Sequence, residues 1–538
     1  MGHYPEQKLV VVGAGIIGAI EAYFAYLDAK NQGKPIRITI YDKNHDISET
    51  TVANIVPSLT PDEIFAVSAQ DPSLLNYLSQ LLDSPSNISL VARSFAEQAK
   101  AYQEYDTKPE QRVLALLELG KISMELWQQL FEAADPELKE IFIRANFNPC
   151  REPQTTKRML HDGYRIDLIY DIPNAYQHAS RLKRAYDNLG YKNCSILSPE
   201  EVCEIDPSLR AFCEQHTTQS TSKAMWNNNA IAIYRPGGSL NTGLFLKEFY
   251  AYLEKVMGEY INERGEHKNC FRLKHQRKVE AVVYDTIDDT YIQGLIFEHK
   301  TKLNKPQYKQ HDYVFCPGEA VGTLNQLGFE EPAYSGFAGV SLRLRFSLPP
   351  DMIEKYRNLN NYMEVHRDKT VLAWQARCLE GKEIFIGIGG TKTYQAEKMA
   401  QKDASFVIDS NLLQLNVIND IFPEIISLML KRDTKGQQLT ALDLATLEKK
   451  GLATRWVGNR AVAFDGFPTI GALFNKQKKK ILNGRCTTHL GSGGVSFSPA
   501  AVTFSRKALH PHEMLNHFEK EILHRTDSRR KMPQKARL

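Results

Sequence analysis

An α/β fold is what the 538-residue sequence predicts, on three observations. Near the N-terminus a run of β-branched residues ends abruptly in glycines and passes at once into a helical pattern. From Asp62 to Asn146 the chain carries helical periodicity. Farther on, several strand-like runs follow one another closely, the habit of a largely antiparallel sheet.

The first of these is Leu9-Val10-Val11-Val12-Gly13-Ala14-Gly15-Ile16-Ile17-Gly18, followed by a helical pattern through Ala19–Leu27. Strand, tight turn and helix N-terminus succeed each other in the Rossmann-like manner. Gly13 permits the turn, Gly15 lets backbone approach a pyrophosphate, and Gly18 lets helix and strand pack closely. The amides around Ala14, Ile16 and Ile17, with the helix dipole, then face negative charge. A second strand, Ile36–Tyr41, ends in Asp42, 24 residues beyond Gly18 and placed to bind a ribose hydroxyl. A glycine turn alone also serves plain close packing. The flanking strand, the helix and the acid together favour dinucleotide binding.

Bulk properties narrow the class. The chain is 42% hydrophobic and 24% charged, as a globular protein is, and its length allows two or more sizeable cores. A formal net charge of +4 gives no argument for a nucleic-acid partner. No apolar run approaches the ~18 residues needed to span a bilayer, and the polar Met1–Lys8 does not read as a signal peptide. Eight cysteines include no Cys-x-x-Cys pair, so reduced thiols in a cytoplasmic protein are expected and a metal site is not.

After Asp42, the small and hydroxyl residues of Val52–Ser58 read as a loop returning toward the nucleotide. Leu114, Leu117, Ile122, Leu126 and Leu130, with Trp127 beside them, form a core-facing helical stripe. Gly163–Ile169 alternates like a strand, and a helix follows over Ala175–Leu189. Ser198-Pro199-Glu200-Glu201 carries the cap, proline and acids of a short helix that Pro207 ends. Ala230–Tyr234 is strand-like and leads through Arg235–Leu240 into a helix reaching Lys255. Lys278–Tyr284 and Tyr291–Glu298 read as antiparallel partners. His311–Cys316 repeats the strand-to-glycine pattern at Pro317-Gly318. Strands are expected at Val340–Phe346, Tyr362–His366, Val371–Arg377 and Ile384–Gly389, and helices at Ser405–Phe422 and Leu439–Glu448. A strand bearing Arg460, the turn Asp465-Gly466-Phe467-Pro468, a hairpin tip at Lys476–Lys480 and a helix from Ser498 complete the pattern. The segment 525–538 is basic and expected to be disordered.

Taken in order, Val12–Gly18, Asp42-Lys43, Thr51–Pro57, Ile196–Pro207, Pro236–Leu240, Val314–Ala320, Gly389-Gly390-Thr391, Arg460…Asp465-Gly466-x-Pro468-x-x-Gly471 and Gly491–Pro499 resemble the flavoprotein family of D-amino-acid, glycine and sarcosine oxidases. Within it, Gly491–Ser496 is similar to the oxidase domain of bifunctional tRNA wobble-uridine modification enzymes. The resemblance implies FAD in a discontinuous nucleotide-binding domain (1–60, 236–335, 455–515), a helical insertion (62–150) and a substrate domain (151–235, 336–454). It implies transfer of hydride from a small amine or amino acid to the flavin, with oxygen or another electron acceptor next. The protein then positions and tunes while the cofactor reacts. Further cofactor contacts are implied at Lys43, Thr51, Val279, Gly318 and the segment Gly491, Ser492, Gly493, Gly494 and Val495, whose amides would meet the flavin's pyrimidine edge.

Arg460 matches the family's carboxylate clamp, a role suited to a planar, two-pronged guanidinium. Ala461 stands where the family commonly has proline. The strand that usually carries an active-site tyrosine reads Leu372-Ala373-Trp374-Gln375-Ala376-Arg377, making Trp374 and Gln375 candidates for the pocket wall. His489, before the last glycine segment, is a candidate to face the flavin. Two other functions fit this resemblance: oxidation of a modified uridine in tRNA, with the basic tail on RNA, and a catalytically silent flavin-binding interaction protein.

Overall fold

The computed structural model describes residues 7–50, 97, 109–148, 163–220, 223–261, 267–298, 311–318, 323–332, 334–367, 370–393, 404–490, 494–509 and 515–530. Two sheets dominate it. The six-stranded sheet runs in the order Phe271–Lys274, Ile36–Tyr41, Gln7–Val12, His311–Phe315, Lys480–Thr488, Thr469–Phe474. All neighbours are parallel except the last pair. Strands buried on both faces have no polar side to show, which is why Val10–Val12 and Tyr313–Phe315 are unbroken apolar runs. Phe271–Lys274, a strand the sequence did not predict, holds one edge with alternating charges at Arg272 and Lys274, a pattern that discourages pairing with another chain.

On one face of this sheet the helices Ile16–Asn31 and Ser498–Lys507 pack together, joined by Thr242–Met257 and Pro109–Ala133. Leu9 and Val11 belong to that core, while Val12, Tyr41 and Phe315 face the other way, against the hairpin Val279–Tyr284/Ile292–Phe297. The helix side is locked by a buried ion pair. Glu21 of the first helix meets Arg485 of a distant strand at 2.7 Å, and Ser505 of the helix Ser498–Lys507 donates to the same carboxylate at 2.8 Å.

The eight-stranded sheet has the order Ala453–Ala463, Tyr334–Ser347, Glu383–Thr393, Thr370–Leu379, Asn360–Arg367, Tyr164–Tyr170, Ala230–Pro236, Ser195–Leu197. It is antiparallel except where Asn360–Arg367 meets Tyr164–Tyr170, as a largely antiparallel sheet was expected to be. Leu342, Ile388, Trp374 and Met363 stand on one face in register, and the helices Ala404–Ile421 and Pro423–Leu430 cover them. No single helix among the described residues is long and apolar enough to cross a membrane.

The opposite face carries charge. Arg165 binds Asp167 at 2.9 Å and Glu364 at 2.8 Å, while Arg235 binds Glu364 at 2.6 Å and Asp167 as well. Burial opposes ionisation of Glu364, yet the two guanidiniums hold its carboxyl well below the usual range. Asp167, Glu364 and His366 lie close enough together for a metal. Two arginines already neutralise the carboxylates, so the cluster is an ion-pair network.

Residues 525–530 depart from the expected disorder, while 531–538 lie outside the described residues. His517–Thr526 is a helix with a capping box at Asn516/Glu519, and residues through 530 are part of the fold. Arg525 pairs with Glu521 and lies over Phe467, Arg529 pairs with Asp527, and Arg530 is buried against Asp465. These charges are matched within the molecule, which removes the composition-based reason for expecting disorder.

Two imidazoles, the half-buried His178 and the buried His311, tie stability to pH. Burial and neighbouring His366 push His178 down to about 4, and burial beside Lys8 pushes His311 down to about 3. The unfolded chain takes up protons as pH falls through their ordinary 6.5, whereas the folded protein resists until far lower. Their stabilisation is therefore complete above about pH 7 and lost as pH falls from about 6.5 toward 4. Thermal melts followed by circular dichroism should show Tm falling over that range, and His178→Gln should flatten the fall. An unchanged slope would mean that His178 is not held neutral.

Candidate functional site

The cleft begins where Gln7–Val12 ends. Gly13 adopts φ +110°, and a Cβ there would lie 2.1 Å from the carbonyl oxygen of Cys316. A Cβ on Gly18 would lie 2.1 Å from the carbonyl oxygen of Gly13. These two glycines are demanded by packing. Gly15 differs, because a Cβ there would meet nothing within 4 Å. It is also the N-cap of Ile16–Asn31 and supplies no capping side chain, so the first-turn amides at Ile16, Ile17 and Gly18 find no side-chain acceptor among the described residues. An open space before an uncapped, buried helix N-terminus suits a phosphate.

Asp42 stands beside this turn and shapes it. One carboxylate oxygen accepts the Ala14 amide at 2.7 Å and the other accepts the Asn44 amide at 2.8 Å. Each oxygen keeps a lone pair for a hydroxyl of a bound ribose. Tyr250 donates to the Ala14 carbonyl at 3.1 Å from behind. The backbone of Arg277 donates to the Asp42 carbonyl at 2.7 Å, which brings the buried Val279 to the same end of the sheet. Lys43 is exposed. Gly318, at φ +58° with open space at its Cβ position, follows the strand adjacent to Gly13, and Cys316 donates to the Val12 carbonyl at 2.8 Å. Thr51 and residues Gly491, Ser492 and Gly493 lie outside the described residues. Gly494 has open space at its Cβ position, whereas Val495 is buried with its carbonyl accepting from Trp127 Nε1 at 3.1 Å and Ser498 Oγ at 2.9 Å.

The polar face of the eight-stranded sheet supplies the second wall. Gln375 stands opposite Tyr362 in the pairing, and its Nε2 donates to the Tyr362 hydroxyl at 2.8 Å. Asn146, beyond the helix Pro136–Arg144, also donates to that hydroxyl. Burial raises the Tyr362 phenol, so it stays protonated. Tyr362 was missed because the resemblance placed a tyrosine on the neighbouring strand. Its pairing with Gln375 required the sheet register, although two strand-like runs in succession already hinted at it. Register continues through Gly387, which offers no side chain, to Arg343, whose guanidinium burial pushes down.

Arg460 is half-buried on Ala453–Ala463, opposite Phe337. It shares its strand face with Trp456, whose indole occupies the space a Cβ of Gly458 would need. Two residues on, Val462 bridges to Leu490, so the arginine strand is joined to the chain just before the last glycine segment. The register thus places Arg460, Gln375 and Tyr362 on one face.

Two candidates stand elsewhere. Trp374 is buried on the opposite face with its ring 5.6 Å from Phe422, because neighbouring strand residues point to opposite sides and Gln375 takes the polar one. His489 does not present a free ring edge. Its Nδ1 meets Thr469 Oγ1 at 2.8 Å, its Nε2 meets Glu331 at 3.0 Å, and its ring stacks on Tyr334 at 5.5 Å. It anchors the backbone.

No protein-family model and no curated protein sequence matches this chain. Solved structures do. Glycine oxidase from Geobacillus kaustophilus superimposes with a TM-score of 0.54 over 98% of this chain and 100% of that one, at 14% identity. A modified fructosyl peptide oxidase from Aspergillus nidulans gives 0.54 over 98% and 96%, at 13% identity. L-proline dehydrogenase from P. horikoshii gives 0.50 over 97% of each chain, at 14% identity. The chain therefore has the fold these proteins share.

The glycines make opposite predictions. Gly18→Ala should lower Tm by about 1–3 °C, since overpacking commonly costs about 1–3 kcal/mol. Compared as flavin-free proteins, Gly15→Val should leave Tm at the parent's value, because its side chain enters open space. Equal losses in calorimetry would contradict this division of labour.

Proposed function

We propose that this protein is an FAD-dependent oxidoreductase that oxidises a C–N bond of a small amine or amino acid. The observation carrying the proposal is the open cradle at Gly15, with its uncapped helix N-terminus and Asp42. Two walls support it: the cradle offers a dinucleotide its pyrophosphate and ribose contacts, and a polar sheet face bearing Arg460, Gln375 and Tyr362 offers a substrate its contacts. The fold shared with glycine oxidase, fructosyl peptide oxidase and proline dehydrogenase agrees with such chemistry.

The residues present fit FAD. Gly13, Gly15 and Gly18, with the amides of Ile16 and Ile17, would hold the pyrophosphate. Asp42 would hold the ribose, the backbone near Val279 the adenine side, and Gly318 and Gly494 leave room for close backbone approach. Bound flavin would supply the hydride acceptor, passing the electrons on to oxygen or another acceptor. Arg460 would fix a substrate carboxylate through two parallel hydrogen bonds, setting which C–H faces the cofactor. Tyr362, protonated and braced by Gln375 and Asn146, offers a hydroxyl of fixed position. The amine loses a proton as its carbon loses hydride, and water then releases the carbonyl product and the nitrogen.

The purified protein should be yellow and release FAD on denaturation, and Gly15→Val should be folded yet colourless. A Gly15→Val protein with full flavin occupancy would sink the cradle assignment. In anaerobic mixing with a panel of amines and amino acids, one class should bleach the flavin band; no bleaching by any would favour a silent flavin-binding protein. For a carboxylate substrate, Arg460→Ala should leave flavin content intact and raise KM by about 30-fold or more, the scale of about 2 kcal/mol lost when a buried charge loses its partner. Arg460→Lys should recover part of that loss. Unchanged KM would reject the carboxylate clamp.

A further inference from the structure

The residue that ends the described chain is tied more tightly than any surface arginine need be. The Arg530 side chain is 9% exposed, and besides the nearby Thr526 and Asp527 carbonyls, each at 3.1 Å, its guanidinium reaches groups far away in sequence. Its Nε donates to Asp465 at 2.7 Å and one Nη to the same carboxylate at 3.3 Å. That Nη also reaches the Phe467 carbonyl at 2.6 Å, and the other donates to Thr469 Oγ1 at 3.0 Å. One planar group thus spans the whole turn between the Arg460 strand and the strand Thr469–Phe474. Only a five-donor fork can do so; an ammonium would satisfy one or two of these acceptors.

The contacts continue inward. Thr469 Oγ1 lies 2.8 Å from His489 Nδ1, and His489 Nε2 lies 3.0 Å from Glu331. A carboxylate only accepts, so the network assigns the imidazole proton to Nε2 and lets the Thr469 hydroxyl donate to Nδ1. Thr469 keeps a lone pair for Arg530. His489 sits at φ +58°, a left-handed conformation that a non-glycine residue holds only when its surroundings insist. Immediately after it, Leu490 bridges to Val462 of the Arg460 strand.

We propose that Arg530 is a positioning residue: through Thr469 it holds His489, and so sets both the point where the chain leaves the sheet toward Gly494 and the placement of the Arg460 strand against it. This inference rests on the proposed flavin site for its effect on cofactor and substrate, but the mechanical coupling stands on the geometry alone. The two parts are therefore separable by experiment.

The coupling is tested on flavin-free protein by amide hydrogen exchange. Arg530→Ala and Thr469→Val should each speed exchange at His489 and Leu490 by about tenfold or more, with Tyr164–Tyr170 unchanged. Lys520→Ala, an exposed change on the helix that precedes Arg530, should alter neither. Thr469→Val is nearly isosteric and keeps the test available should Arg530→Ala fail to fold. Parental exchange at Leu490, or an equal rise throughout both sheets, would overturn the proposal. FAD titration of the same apoproteins by fluorescence quenching should give a Kd about tenfold weaker for Arg530→Ala, with Arg530→Lys in between. Loosened exchange with unchanged FAD affinity would overturn the effect on the cofactor. A parent protein that binds no FAD would instead reject the flavin reading and leave the exchange result to judge Arg530.

Discussion

The buried pair between Glu21 and Arg485 ties the first helix to the six-stranded sheet. The first helix offers the carboxylate, a strand more than four hundred residues away offers the guanidinium, and Ser505 from a third element completes the acceptor's shell. Burying two charges is costly, and such a pair is a poor general source of stability; what it does strongly is punish any arrangement in which one partner is missing, by about 3–5 kcal/mol. The sheet is assembled from widely separated stretches, each contributing one or two strands. A penalty for incomplete assembly is what such a sheet needs. The turn at Gly13, braced by Asp42 and Tyr250, depends on that assembly, because its neighbour Cys316 is positioned by the same strands.

The eight-stranded sheet solves a different problem. Its two faces are distinguished by alternation, apolar toward the helices and polar toward the other side. Trp374 and Gln375 illustrate the rule: adjacent in sequence, they serve opposite faces, one as core and the other as part of a braced tyrosine pair. At the far end of the same polar face, the charges of Arg165, Arg235, Asp167 and Glu364 cancel among themselves. Arg460 and Arg343 stand on the same face away from that network.

Local signals carried much of this. The strand Ile36–Tyr41 and the helix starting at Pro199 were legible to the residue because β-branched runs, a serine cap and a proline act on their immediate neighbours. The glycine turn was legible for the same reason. What sequence could not show was everything decided by pairing across the chain. Phe271–Lys274 went unpredicted because an edge strand needs only one apolar side. His489 looked available because Glu331, Thr469 and Tyr334 are remote from it in sequence. The segment after Arg525 looked disordered because its charge is balanced by Asp465 and Glu521, which composition over a short window does not register. Tyr362 emerged only when register set it against Gln375.

The interleaving of segments also governs the order in which the molecule can come into being. Gln7–Val12 is made first, and Ile36–Tyr41 joins it soon after, but its other neighbour, His311–Phe315, follows some three hundred residues later and Lys480–Thr488 later still. At about 5–20 residues per second, synthesis leaves that parallel edge open for tens of seconds. The cleft therefore has no complete wall until almost the whole chain has left the ribosome. Parallel pairing of distant strands is slow in any case, since the loop between them must be closed first. A nascent chain with an exposed apolar strand edge for so long is a natural client for chaperones, and the cleft closes only once Lys480–Thr488 has been made.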